Sequence, residues 1–457
     1  MCEIAIDFET TSPVDLPTCG VYVYAAHPQT DIICAAYSVD GGAVRVWKHG
    51  EPMPDVWRDA VFSAWNAQFE RVLWDYVGVR YGWPRVDLSR WRCTMAVAAS
   101  KGLPLHLADC AKVLGTEHQK DLDGHALMKR VSKIPVCDID SGDEARLIEY
   151  CKKDVLTERS IAQRIGDRLP PDEQRVWEED QRMNDVGIRV DEELVHLLAE
   201  LANEARRELE AELYKLTDGQ ITSLHQHIGM QRWLASRGVD VGSVRKEVLA
   251  ALETDDETVR RVIDIRREGA KSSVAKLLAM IAYIEVDGRM RGLFQYHGAS
   301  TGRWAGRGPQ LQNFPRTTPE PSVDEALWEG VDWLREELRR RGVPVLHWIS
   351  SALRSCIISS DGASLYIADY SQIETRMLAW LARETRLLRV FERGADAYVA
   401  FASSMYGVPE EAVTKEQRQV AKSAVLGLGY SMGAPRYQEY AATYGVDLSF
   451  DDALRVV

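Results

Sequence analysis

The chain has 457 residues, 46% hydrophobic and 27% charged, enough for two to four domains with ample cores. It holds no run of 18 apolar residues and no basic stretch leading into an apolar one, which argues against a membrane span or a secretory signal. Eight scattered cysteines without a CxxC pair argue against a disulfide or zinc framework, and a net charge of -13 argues against a nonspecific polyanion binder.

The chain opens with CEIAIDFETT, whose alternation puts Ile4, Ile6 and Phe8 on one face of a strand and Asp7 and Glu9 together on the other. Side-by-side carboxylates at a strand end repel unless a cation separates them, although a DxE pair alone also fits ordinary surface chemistry. VFSAWNAQFERVLWDY then predicts a strand ending near Asn66 and a helix with Glu70 in its first turn. DEARLIEYCKKDVLTERSIAQRI has helical period, which places Tyr150 and Asp154 on one face. Between these segments Trp91 could stack a single-stranded base or belong to the core, and the core is the better reading.

Leu169-Pro170-Pro171-Asp172 predicts a boundary, followed by helices over 173–186 and 191–216 with GIRVD extended between them. A helix is expected over 223–238; its two histidines, two residues apart, point to different faces and are not read as metal ligands. A linker and helix over 240–252 and a basic helical stretch over 260–280 follow. Arg260 to Arg307 carries ten basic residues against four acids, a local surface suited to phosphates or simply a solvated face.

GLFQYHGASTGRWAGRGPQLQNFPR is too rich in Gly, Gln and Asn for a core segment, and DEALWEGVDWLREELRRR reads as one charged helix. The stretch LYIADYSQIETRMLAW predicts a buried strand over 365–368 running into Asp369, then a helix with Glu374 in its first turn. From spacing alone Asp369 fits a helix cap as well as a metal ligand. Another helix is expected over 396–406, and TKEQRQVAKSAVLGLGYSMG puts Arg418 and Lys422 one turn apart on a further one.

DYSQIE with Arg376 resembles motif A of the A-family DNA polymerases, the family of bacterial repair polymerase I and many phage replicases. TGR at 301–303 with LQNFP at 311–315 resembles the family's palm entry, and the helix carrying Arg418 and Lys422 resembles motif B of the fingers. The Asp7, Glu70 and Tyr150 segments are similar to the three motifs of the family's DEDDy proofreading exonuclease. The resemblance implies an α/β chain: a ribonuclease-H-like 3′-to-5′ exonuclease domain over 1–168, a helical connector and thumb over 169–295, the start of the palm over 296–380 and partial fingers over 381–457.

The resemblance also implies roles. Asp7, Glu9, Glu70 and Asp154 would bind Mg2+, with Mn2+ as a substitute, while Tyr150 positions the attacking water and Asn66 orients the second segment or the substrate strand. Glu70 departs from the aspartate usual at its place. Asp369 would bind the polymerase magnesium, Gln372 would support the nucleotide or primer end, and Glu374 would close the space beside C2′ of the incoming nucleotide. Arg418 and Lys422 would hold its triphosphate and Tyr430 would sit near the template base. Leu426 stands where an aromatic residue usually packs on the sugar. Lys271 and Lys276 would grip the duplex backbone, and Arg303, Gln312 and Asn313 would follow the minor groove.

Primer-template DNA, a single-stranded 3′ end and deoxynucleoside triphosphates are the expected partners, with no membrane. The cytoplasm is the expected location, that of a bacterial host if the chain is phage-encoded. The family's later palm segment, with histidine, aspartate and glutamate, has no counterpart here, and no HDE occurs. The expectation is a fragment, a palm completed by a second polypeptide, or a polymerase half that serves as a binding platform.

Overall fold

A computed structural model describes residues 2–245, 248–249, 252, 254–269 and 273–457. Two compact units are present, Met1–Ser364 and Leu365–Val457. Lys271 and residues 246, 247, 250 and 251 of the linker and helix expected over 240–252 lie outside the described residues.

The first unit begins with a five-stranded sheet in the order β3-β2-β1-β4-β5, formed by β1 (Glu3–Thr11), β2 (Asp31–Val39), β3 (Val44–Lys48), β4 (Val61–Ala64) and β5 (Trp91–Cys93). β2 is antiparallel to β1 and β3, whereas β4 runs parallel to both β1 and β5. The alternation in β1 folds as its period dictates, and Ile4, Ile6 and Phe8 are buried. They join an aromatic core in which Trp74 lies 4.7 Å from Trp83 and 5.0 Å from Phe62, ring centroid to centroid. Trp91 is fully buried at 5.0 Å from Phe62, so it is a core residue.

The opposite face of β1 and β2 is covered by a 25-residue helix, Ser141–Ile165, started by Asp140, whose carboxylate accepts from the Gly142 and Asp143 N–H groups. Two more helices frame the site: Ala67–Tyr76 follows β4, and Thr94–Ser100 follows β5.

Pro171 starts the next helix, Pro171–Val186, at a position where a missing N–H costs nothing. Ile188–Arg189 then pairs with Arg289–Met290, and Asp191 caps Glu192–Leu216. The expected helix at 223 starts only at His227. Before it, Glu210 accepts from the Ser223 hydroxyl and the Leu224 N–H, and Gln226 accepts from the Thr222 N–H, so side chains take the backbone groups a helix would need. The charged helix is in fact two, Val323–Glu329 and Val331–Arg341, because Gly330 at φ 94 leaves the right-handed region.

The second unit is helical, with Ile373–Leu381, Thr385–Glu392, Ala397–Tyr406, Lys415–Leu428, Ala434–Ala442 and Phe450–Val456 around a core of Ala424, Tyr437 and Ala441. The strand expected over Leu365–Ala368 does not form. Those residues pair with no described strand and are exposed, Tyr366 at 95% and Ile367 at 93%; a strand without a partner leaves its backbone groups to water. Among the described residues no helix is long and apolar enough to cross a membrane.

Candidate active site

Three elements converge in the first unit. β1 presents Asp7 and Glu9 away from the aromatic core, the first turn of Ala67–Tyr76 presents Glu70, and Ser141–Ile165 presents Tyr150, Asp154 and Glu158 at four-residue spacing. Glu9, Glu70, Tyr150, Asp154 and Glu158 are all buried. Ligand atoms of Asp7, Glu9 and Cys151 lie within 4.8 Å of one another, forming the one such cluster of three among the described residues. The Cys151 thiol is 3.3 Å from both Asp7 Oδ2 and the Asp7 carbonyl oxygen.

Lys120 supplies the cation among these acids. It comes from the loop before Leu122–Val131, donates to Asp154 Oδ2, and stands 4.8 Å from the Tyr150 ring centroid. Thr94 donates to Glu158 Oε1 at 2.6 Å.

Burial sets the electrostatics. It pushes the Asp7 carboxyl up to about 7, helped by the charge of Asp154. Burial and then Asp7 push Glu9 and Glu70 well above the carboxylate range. Asp154 is raised by burial despite Lys120, and burial raises Glu158 to about 8. Two carboxylate oxygens, Glu70 Oε2 and Asp154 Oδ1, are buried without a hydrogen-bond partner among the described residues. Five carboxyls of which only Asp154 is bonded by an ammonium, two of them with an unsatisfied oxygen, fit a hard divalent cation that takes oxygen ligands.

The structure thus brings together Asp7, Glu9, Glu70, Tyr150 and Asp154. Asn66 is exposed at the start of the Glu70 helix. Lys120, Cys151 and Glu158 were missed by the sequence reading. Glu158 had a signal, one helical turn beyond Asp154; Lys120 sits in an irregular loop and had none.

Elsewhere in this unit Lys276 donates to the Asn313 carbonyl at 3.1 Å and lies 4.8 Å over the Phe314 ring. The Asn313 amide donates to Gln310 at 2.8 Å, and Gln312 packs on Gly306 so closely that an added Cβ there would meet its amide nitrogen at 1.9 Å. Arg303 is exposed.

In the second unit Asp369 is exposed on the irregular segment, and Gln372 at φ 51 precedes the helix that carries Glu374. Tyr430 donates to Glu374 at 2.8 Å. Arg418 is engaged by Asp396 through two bonds of 2.9 and 2.7 Å, 5.4 Å over the Tyr398 ring, and Lys422 lies 5.7 Å from the Tyr444 ring centroid. Leu426 and Tyr430 line one shallow groove with Tyr440.

Residues 189–444 match the family model described as DNA polymerase family A. The chain is 36% identical over 463 residues to the DNA polymerase of Bacillus phage SP02, covering 95% of this chain and 70% of that protein. It is 30% identical over 319 residues to the thermostable DNA polymerase I of Thermus aquaticus, covering 65% of this chain and 34% of the relative. Its fold is similar to the POL domain of Pol1 from M. smegmatis, solved in complex with DNA primer-template and dNTP, with a TM-score of 0.60 at 18% identity over 99% of this chain and 70% of that one.

Proposed function

The chain belongs to DNA polymerase family A, and from that premise we propose that residues 1–168 are a magnesium-dependent 3′-to-5′ proofreading exonuclease, followed by connector and thumb over 169–295, the start of a palm over 296–380 and part of the fingers over 381–457. The observation that carries the nuclease reading is the knot of half-buried Asp7 with buried Glu9, Glu70 and Asp154, of which Lys120 touches only Asp154. Without a cation such buried carboxyls keep their protons, and a divalent ion is what would let them ionise together.

These four carboxylates would hold magnesium or manganese. When bound, that ion supplies Lewis acidity toward water and the departing 3′ oxygen. Burial raises the Tyr150 phenol far from any role as a base, so it stays protonated and orients the attacking water by hydrogen bonding. Deoxynucleoside monophosphates leave from the 3′ end.

The solved M. smegmatis domain was captured with primer-template and dNTP, and the same ligands are assigned to this chain. Lys271, Lys276, Arg303, Gln312 and Asn313 would follow the duplex. Gln372, Glu374, Arg418, Lys422, Leu426 and Tyr430 would surround the nucleotide, with Asp369 on its metal. Polymerisation needs carboxylates on both sides of a metal pair, which Asp369 alone does not supply. Trimming is the activity that the acid knot within residues 1–168 supports.

The test is a 5′-labelled primer on a longer template, incubated with magnesium, with and without all four deoxynucleotides. Shortening in both lanes, abolished by Asp154→Ala, supports the reading. An untouched primer overturns the nuclease, and extension overturns the need for further carboxylates.

A further inference from the structure

Among the described residues Lys120 makes the one ion pair with any of the five carboxyls of the knot, and Asp154 is its one hydrogen-bond acceptor. The backbone that carries it is pinned on both sides. Gln119 donates its amide to the Thr116 and Ala111 carbonyl oxygens at 2.8 and 3.2 Å. Asp121 accepts from the Gly124 N–H at 3.0 Å and from Arg146 of the long helix. Gly124 then lies against Tyr150, where an added Cβ would fall 2.4 Å from the ring. With its neighbours fixed, the freedom left at residue 120 is that of a four-carbon stem ending in three donors.

An ammonium in this place serves either to answer Asp154 alone or to answer a substrate as well. The charge balance favours the second. One ammonium among five carboxyls leaves Asp154 Oδ1 and Glu70 Oε2 without a partner, so it does not complete the knot. It stands at the Tyr150 end, 4.8 Å from the ring centroid, and 12% of its side chain still reaches solvent. A phosphodiester drawn toward carboxylates is repelled by them, and a donor cation beside the water-orienting tyrosine offsets that repulsion. An ion in the knot would answer Asp154 from its unpartnered side and leave the ammonium able to change acceptor.

We propose that Lys120 is a further catalytic residue of the nuclease, exchanging Asp154 for a non-bridging oxygen of the 3′-terminal phosphodiester. This rests on the exonuclease reading. In the step itself a water oxygen bonds to phosphorus and the bond from phosphorus to the 3′ oxygen breaks. One water proton ends on that 3′ oxygen, and the second leaves with the new monophosphate or passes to solvent. Lys120 neither gives nor takes a proton; it holds the charge that grows on the phosphoryl oxygens. The same ammonium would hold the 5′-phosphate of the monophosphate until it departs.

The test uses the full chain and reads binding as well as turnover. Mn2+ affinity is followed by the electron paramagnetic resonance signal of the free ion, and thymidine 5′-monophosphate is then titrated calorimetrically into the Mn2+-loaded protein. Asp154→Ala, which removes one corner of the knot, is the blank for sites elsewhere on the chain. Lys120→Gln keeps an amide that can donate to Asp154 and removes the charge. It should bind Mn2+ at least as tightly as the wild type and the monophosphate about tenfold more weakly, with Lys120→Arg recovering most of the loss. Monophosphate affinity unchanged in Lys120→Gln overturns the proposal. So does a parallel fall in Mn2+ and monophosphate affinity, which would reduce Lys120 to a positioning residue for Asp154. Primer shortening by the wild type in magnesium is scored separately. Shortening together with either of those results sinks the lysine alone, and an untouched primer with no monophosphate bound sinks the nuclease reading beneath it.

Discussion

Lys120 lays its ammonium on Asp154 with only 12% of its own side chain exposed, so the acid knot carries a built-in cation at one corner. The same ammonium faces the Tyr150 ring and fixes the two helix residues relative to each other. Replacing it by an apolar group of similar length, Lys120→Met, leaves Asp154 buried and unanswered. Loss of one partner of such a pair costs about 3 kcal/mol. Urea unfolding in EDTA should therefore shift to lower denaturant, and magnesium should restore more stability to the variant than to the wild type. Equal magnesium shifts in the two proteins would show that Lys120 and the metal do not share Asp154.

The raised carboxyls fix how stability depends on pH. Asp7 is held at about 7 and Glu158 at about 8, whereas in the unfolded chain such groups release their protons near pH 4. The native state binds more protons across that interval, so metal-free stability is fullest below about pH 4 for these groups and declines as pH rises to about 8. The contribution lost is on the order of a few kcal/mol. Denaturant midpoints in EDTA should fall from pH 6 to pH 8. Magnesium would favour the ionised Asp7 carboxylate that burial, helped by Asp154, disfavours, so its binding should release protons. Calorimetry in two buffers of different ionisation enthalpy should give different apparent heats, and identical heats would remove the coupling.

How far the sequence carried this reading depends on the kind of signal. The period of two in Ile4, Ile6 and Phe8 placed Asp7 and Glu9 correctly, and the i,i+4 spacing placed Tyr150 beside Asp154, because both follow from backbone geometry alone. Lys120 was invisible, since only the tertiary path of its loop brings it to Asp154. Cys151 was only one of eight scattered cysteines; its contact with Asp7 depends on the rotation of a whole helix over β1. The strand expected at Leu365–Ala368 was a period and composition reading with no partner to test it, and strands exist only through pairing. Gly330 broke a helix that charge patterning had carried straight through it.

Gly306 is a position where added volume should impair function more than folding. A Cβ there would fall 1.9 Å from the Gln312 amide nitrogen, and that nitrogen is the far end of a side chain that can swing away. Gly306→Ala should leave the melting temperature nearly unchanged while displacing Gln312 from the place where it would read the duplex minor groove. Primer-template affinity should drop by about tenfold, matching Gln312→Ala, with little further loss in the double variant. Full additivity of the two substitutions would mean that Gly306 acts by another route.

Arg418 is the clearest case of a residue whose proposed task requires it to change partner. Asp396 holds it through two bonds, and Asp396 also accepts from the Tyr398 and Val399 N–H groups at the start of the neighbouring helix. A triphosphate must compete with that carboxylate for the guanidinium, whereas Lys422, one turn on, has an aromatic neighbour in place of an acid. Asp396→Asn keeps a side chain that can cap the helix and removes the competing charge. Fluorescence titration with a deoxynucleoside triphosphate in magnesium should then show affinity rising a few fold in Asp396→Asn. It should fall about tenfold in Arg418→Ala, and further when Lys422→Ala is added. Unchanged affinity in Arg418→Ala would assign the arginine to holding the two helices together and leave the phosphates to Lys422.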